Sequence, residues 1–100
     1  MIRTVIQYGS ILVARDEQDN HIGSLSIGEG IMLGYASNYI LVRYGNMVVS
    51  MDVDQNNLGH EIFPEEYKIM GITSGGFIAQ TGSIQQLYDP YCNHVGTQSI

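Results

Sequence analysis

A register repeated three times along one hundred residues constrains this chain more than any other feature of it. The segments GSILVARDEQDNHIGS from Gly9, GNMVVSMDVDQNNLGH from Gly45 and GSIQQLYDPYCNHVGT from Gly82 align without a gap, their starts 36 and 37 residues apart. In each, an Asp stands seven positions after the first Gly (Asp16, Asp52, Asp89) and an Asn four positions later (Asn20, Asn56, Asn93). An aliphatic residue and a second Gly close the segment: Ile22-Gly23, Leu58-Gly59 and Val95-Gly96. A period of this length means that one supersecondary unit is used repeatedly, each copy too small to bury an apolar face alone.

The unit reads as strands and tight turns. Short runs rich in Ile, Val, Leu and Tyr are separated by Tyr-Gly-Asn, Asp-Gln-Asn-Asn, Ser-Asn and Gly-Glu-Gly clusters, and no segment holds helical periodicity for three turns. Gly and Asn tolerate the positive φ of narrow hairpins, and Asp or Asn side chains can bond the backbone two residues on. Upstream, IMLGYAS at Ile31 to Ser37 matches KIMGITS at Lys68 to Ser74, and the first segment has no third copy of this stretch ahead of it. With four strands A to D per unit, residues 28–64 and 65–100 are complete units, and residues 1–27 supply B, C and D only. The expectation is a single all-β domain over residues 1–100, an antiparallel meander of about 11 short strands. Pro64, Glu65 and Glu66 mark the second join.

Alternation assigns faces within the strands. In strand C the set Ile11, Val13, Met47, Val49 and Ile84 is expected to point inward, and in strand D the aliphatic Ile22, Leu58 and Val95. Strand B is apolar on both faces in Ile40-Leu41-Val42 and Phe77-Ile78-Ala79, which predicts sheets stacked on one another.

The stretch GYASNYILVRYGNMVVSMDVDQNNLGHEIF has a Gly-x-x-Ser strand, an apolar strand, a Gly turn, an Asp-terminated strand and an aliphatic-Gly strand. In this it resembles a β-propeller blade, although the Trp-Asp pair of one large propeller class is absent. The resemblance implies a ring of four to eight blades, more than three units can provide. Two arrangements satisfy it: several chains contribute blades to one ring, or the three units close around a pseudo-threefold axis as in β-trefoil and β-prism proteins. The missing strand beside the first unit leaves an open edge, a pairing liability that points to a homo-oligomer.

Charge narrows the partners. Four Lys and Arg against ten Asp and Glu give a formal net charge of −6, and the four cations are Arg3, Arg15, Arg43 and Lys68. A phosphate backbone or an anionic membrane surface needs more positive charge than this, so neither nucleic acid nor membrane is an expected partner. No apolar run approaches the ~18 residues of a membrane-spanning helix. The opening MIRTVIQYGS has neither a secretory nor a transit pattern, and Cys92 is the only cysteine, so a cytoplasmic setting is expected.

Candidate chemistry is sparse. Asp52-Val53-Asp54-Gln55-Asn56 begins like a calcium loop, but Asn57 stands where a Gly is favoured and Phe63 where a bidentate Glu is required, so it reads as a hairpin turn. Cys92 and His94 could form a hydrolase-like nucleophile and base if they converged with an acid, yet both fall on an expected turn, and His21 occupies the same repeat position as His94. Tyr8 and Tyr44, equivalent in the repeat, either present rings to a ligand or cover the turn beside them. The Gly-Glu-Gly and Ser-Gly-Gly stretches lack the Lys of a phosphate cradle, no Ser sits in a nucleophile elbow, and adjacent Glu65 and Glu66 cannot face each other across a substrate. No cofactor is implied. The sequence therefore predicts a small binding or interaction module that self-associates and uses an acidic, loop-rich surface to bind a protein or a small-molecule ligand, with the Cys92 and His94 enzyme and a purely structural assembly subunit as the other readings.

Overall fold

The computed structural model describes residues 1–99; Ile100, the end of the third unit, lies outside the described residues. The chain is all-β, with 11 antiparallel strands in three sheets of three, four and four, each sheet one repeat unit in meander order. The first sheet is β1 (Thr4–Tyr8), β2 (Ile11–Arg15) and β3 (His21–Ser26). The second is β4 (Ile31–Tyr35), β5 (Ile40–Tyr44), β6 (Met47–Met51) and β7 (Asn57–Ile62), and the third is β8 (Lys68–Thr73), β9 (Gly76–Thr81), β10 (Ile84–Tyr88) and β11 (His94–Ser99). Among the described residues the first sheet has no strand A, and β1 lies at its edge. Pro64 and Tyr67 close the turn between the second and third sheets through a 3.0 Å backbone bond. Among the described residues no helix is long and apolar enough to cross a membrane.

The repeated Asp and Asn are explained by one turn built three times. In the second unit, Asp52 Oδ1 accepts the amides of Asp54 and Asn56 at 2.9 Å each, and Oδ2 accepts Asn56 Nδ2 at 3.0 Å. Asp16 and Asp89 receive the same three bonds within their own turns. The fourth residue of each turn, Asp19, Gln55 or Cys92, sits at φ 63 to 65°, a left-handed conformation that costs roughly 1 kcal/mol in a non-Gly residue. The Asp carboxylate offsets that cost by tying down two amides the turn would otherwise leave free. Those bonds have an electrostatic signature. At Asp16 the amide of Asn20 draws the carboxyl below its ordinary range. At Asp52 slight burial pulls upward, but the bonds from Asn56 and Asp54 together outweigh it. A depressed folded-state value means that the contribution is present above the ordinary carboxylate range and is lost as pH falls through the lowered one.

Two cores lie between three stacked sheets. Val5, Leu12, Ala14 and Leu25 of the first sheet pack with Ile40, Val42, Val49 and Met51 of the second, sealed by Ile2 and Ile27. The opposite face of the second sheet gives Leu41 and Val48, which meet Phe77 and Ala79 of the third around Phe63, Tyr39 and Cys92. Ile40, Leu41 and Val42 are all fully buried, as expected of a strand covered on both faces. Strand to strand, only β1 with β4 and β4 with β8 come within 8 Å between sheets (Cα to Cα). No strand of the first sheet comes that close to the third among the described residues, and no closure about an axis is observed.

Faces are best named by direction, leading toward the next sheet in sequence and trailing toward the previous one. The expected inward set of strand C needs correction here. Leu12 and Ala14 are buried on the leading face of the first sheet, whereas Ile11 is 38% exposed and Val13 half-buried on its trailing face. The repeat-equivalent Met47 and Val49 do point into a core, because the first sheet covers them, whereas Ile84 of the third copy, at the turn end of its strand, is 37% exposed. In strand D, Ile22 and Leu58 pack against the cores as expected, but Val95 is 63% exposed. The cause is the same at both ends: an equivalent position is buried only where a neighbouring sheet lies over it.

Candidate functional site

Cys92 and His94 are held apart by the turn that joins β10 to β11. Cys92, at the positive-φ position of the turn, is buried in the core between the second and third sheets beside Tyr39. Burial pushes the thiol up to about 11, with Asp89 and Glu61 adding to the effect. Its thiolate, the nucleophilic form, is therefore scarce at neutral pH. The His94 ring faces elsewhere. Its Nε2 lies 2.6 Å from Gln86 Oε1 and 3.1 Å from Thr97 Oγ1, and the ring packs edge-on against Tyr88 at 5.4 Å. No hydrogen bond joins the two side chains among the described residues. His21, at the same repeat position, likewise bonds a strand hydroxyl, Ser24 Oγ at 2.8 Å.

A measurement checks this geometry. In native protein at about pH 8, Cys92 is expected to react with a disulfide reagent at least about a hundredfold more slowly than in urea-unfolded chain. Equal rates would place the thiol at the surface.

The tyrosine pair separates according to cover. Tyr44 packs into the first core, and a Cβ placed on Gly30 would meet its ring at 2.8 Å. Tyr8, its equivalent, is 59% exposed because no sheet lies over the trailing face of the first one. Sequence reasoning did not separate the two, since the distinction depends on position in the stack.

The same rule brings out surfaces that no motif marked. On the trailing face of the first sheet the register places Ile6 opposite Val13 and Tyr8 opposite Ile11, an apolar group in which Ile6, Tyr8 and Ile11 are exposed and Val13 half-buried. On the leading face of the third sheet Leu87 pairs with Ile78, and with Val95 they line a concavity of about 340 Å³ that ends at the Gly75-Gly76 turn. Beside it runs a row of amides, with Gln98 Nε2 bonded to Gln85 at 2.6 Å and Gln85 Nε2 bonded to Gln80 at 3.0 Å. A second concavity, of about 330 Å³, lies between the first two sheets beside Ile2, Ile22 and Val53 and has one carboxylate, Asp52, in its lining. That carboxylate is occupied by its own turn.

No family model, curated protein or solved structure matches the chain. The candidate site thus rests on geometry, and the geometry singles out the two end faces.

Proposed function

We propose that the chain is an interaction module that associates with itself through its end sheets. The supporting observation is the contrast between equivalent positions: Val42 and Ala79 are fully buried, each under a neighbouring sheet, while Ile6 at the same place in the first unit is 43% exposed. Apolar side chains on an uncovered sheet face favour association, at roughly 25 cal/mol for each Å² removed from water. The sparse positive charge fits a protein partner better than a nucleic acid.

The enzyme reading draws little support from a buried thiol whose nearest imidazole is bonded to Gln86 and Thr97. A structural assembly subunit would use the same faces and differs only in having no further ligand.

Sedimentation velocity over a concentration series tests the reading. The expected result is a species of twice 11.1 kDa that grows with concentration. A strict monomer up to ~1 mM, the weakest association worth calling specific, would overturn it.

A further inference from the structure

We infer that two copies join head to tail, the trailing face of one first sheet lying on the leading face of the other copy's third sheet, with the Asp16 to Asn20 turn seated across Gly96. The inference rests on the self-association proposed above and specifies its geometry.

The chain itself makes this contact twice. Where the second sheet covers the first, the backbone of the Asp52 turn docks on strand D, so that a Cβ on Gly23 would overlap the Val53 carbonyl oxygen. Where the third covers the second, a Cβ on Gly59 would overlap the Tyr91 carbonyl oxygen in the Asp89 turn. Gln55 of the docked turn also pairs with strand D, its Nε2 donating to Ser26 O at 2.8 Å and its Oε1 accepting from Ser26 N at 3.2 Å. The repeated second Gly is thus a landing place for the following unit's turn.

Gly96 holds that place in the third unit, and among the described residues nothing requires a Gly there. A Cβ on it would meet only the Leu87 side chain, at an ordinary 3.5 Å, and its backbone is not in the left-handed region. At the other end of the stack, the Asp16 turn has the bonds and the positive φ of the two docked turns and, among the described residues, rests on no strand D of its own chain. A landing place without a turn and a turn without a landing place are the two halves of one contact.

The surrounding faces correspond as well. Ile6 and Val13 occupy the positions from which Val42 and Val49 fill the first core. Ile78 and Leu87 occupy those from which Leu41 and Ser50 face the third sheet. Tyr8 occupies the position from which Tyr44 packs into the first core, and the Gln80, Gln85 and Gln98 amides of the facing sheet offer its hydroxyl donors and acceptors. The contact is heterologous, so it must close into a ring or grow into a filament. Two copies supply six sheets, within the four to eight of a propeller ring, and leave neither end face free.

Two variants and their mixture test this. Gly96→Val blocks the landing place in a position open within the chain, and the smaller Gly96→Ala does the same should valine disturb β11; Ile6→Glu charges the opposite face. Each is expected to keep the wild-type circular dichroism, to weaken association on the order of a hundredfold, and to run as a monomer where wild type is a dimer. Mixed at ~1 mM, they regain a two-chain species, because each retains the face the other has lost. If only one variant dissociates, or if the mixture stays monomeric, the faces do not pair head to tail. If neither variant dissociates while wild type remains dimeric, the docking geometry is overturned and self-association stands. If wild type itself is a monomer, both fall.

Discussion

Phe63→Ala is expected to lower the unfolding free energy by about 3–5 kcal/mol, as for truncations of buried aromatic residues. The ring is 2% exposed and bridges the second and third sheets. It stands edge-on to Tyr88 at 5.0 Å and to Phe77 at 6.3 Å, and tilted against Tyr67 at 5.9 Å. Aromatic pairs of this kind add roughly 0.5–1.5 kcal/mol each beyond buried area. A domain of this size is stable by only about 5–15 kcal/mol in total, so the midpoint of thermal unfolding should fall by at least about 10 °C. The neighbouring Ile62, 58% exposed, is the control, its replacement by alanine staying within about 0.5 kcal/mol of wild type. A loss below about 1 kcal/mol for Phe63→Ala in a urea titration would show that the two sheets are not joined there.

That Phe63 is a keystone was not legible in the sequence, and the reason is physical. It follows β7 at the mouth of a join, where the local pattern Ile-Phe-Pro-Glu-Glu reads as the end of a strand followed by a polar turn. Its burial comes from Tyr88 and Phe77, residues 25 and 14 positions away, and from a 2.6 Å bond between its amide and Asn46 O that pins it inward. The turns were legible because their causes are local: the bonds from Asp52 to Asp54 and Asn56 span four residues, and any copy of those residues forms them. The strand count and the absent strand A were legible for the same reason. Facing was legible only in part. Alternation finds the two faces of β2 but cannot say which is covered, and Leu12 at 0% and Ile11 at 38% exposure differ only in which side the second sheet occupies. The thiol of Cys92 shows the same limit: proximity to His94 is local, but burial against Tyr39 is set by the sheet above.

Gly59→Ala and Gly96→Ala, one residue type at one repeat position, are expected to change the stability of the single chain in opposite directions. At Gly59 a Cβ would overlap the Tyr91 carbonyl oxygen and lie 2.6 Å from its carbonyl carbon, so the backbone of the Asp89 turn itself would have to move. That turn holds Cys92 in the core, and displacing it opens the contact between the second and third sheets. Overpacking against side chains costs about 1–3 kcal/mol, and a rigid hydrogen-bonded turn yields less readily than a side chain, so about 3 kcal/mol or more is expected. At Gly96 the added methyl meets only Leu87 in ordinary contact, and replacing a strand Gly by Ala restricts the unfolded chain, a gain of up to about 1 kcal/mol. Urea unfolding of both variants at a concentration too low for association measures the pair. Equal losses at the two positions would mean that Gly is needed in strand D for its own conformation. Opposite signs would show that the need comes from what lies on top of it, which at Gly96 is supplied by nothing among the described residues.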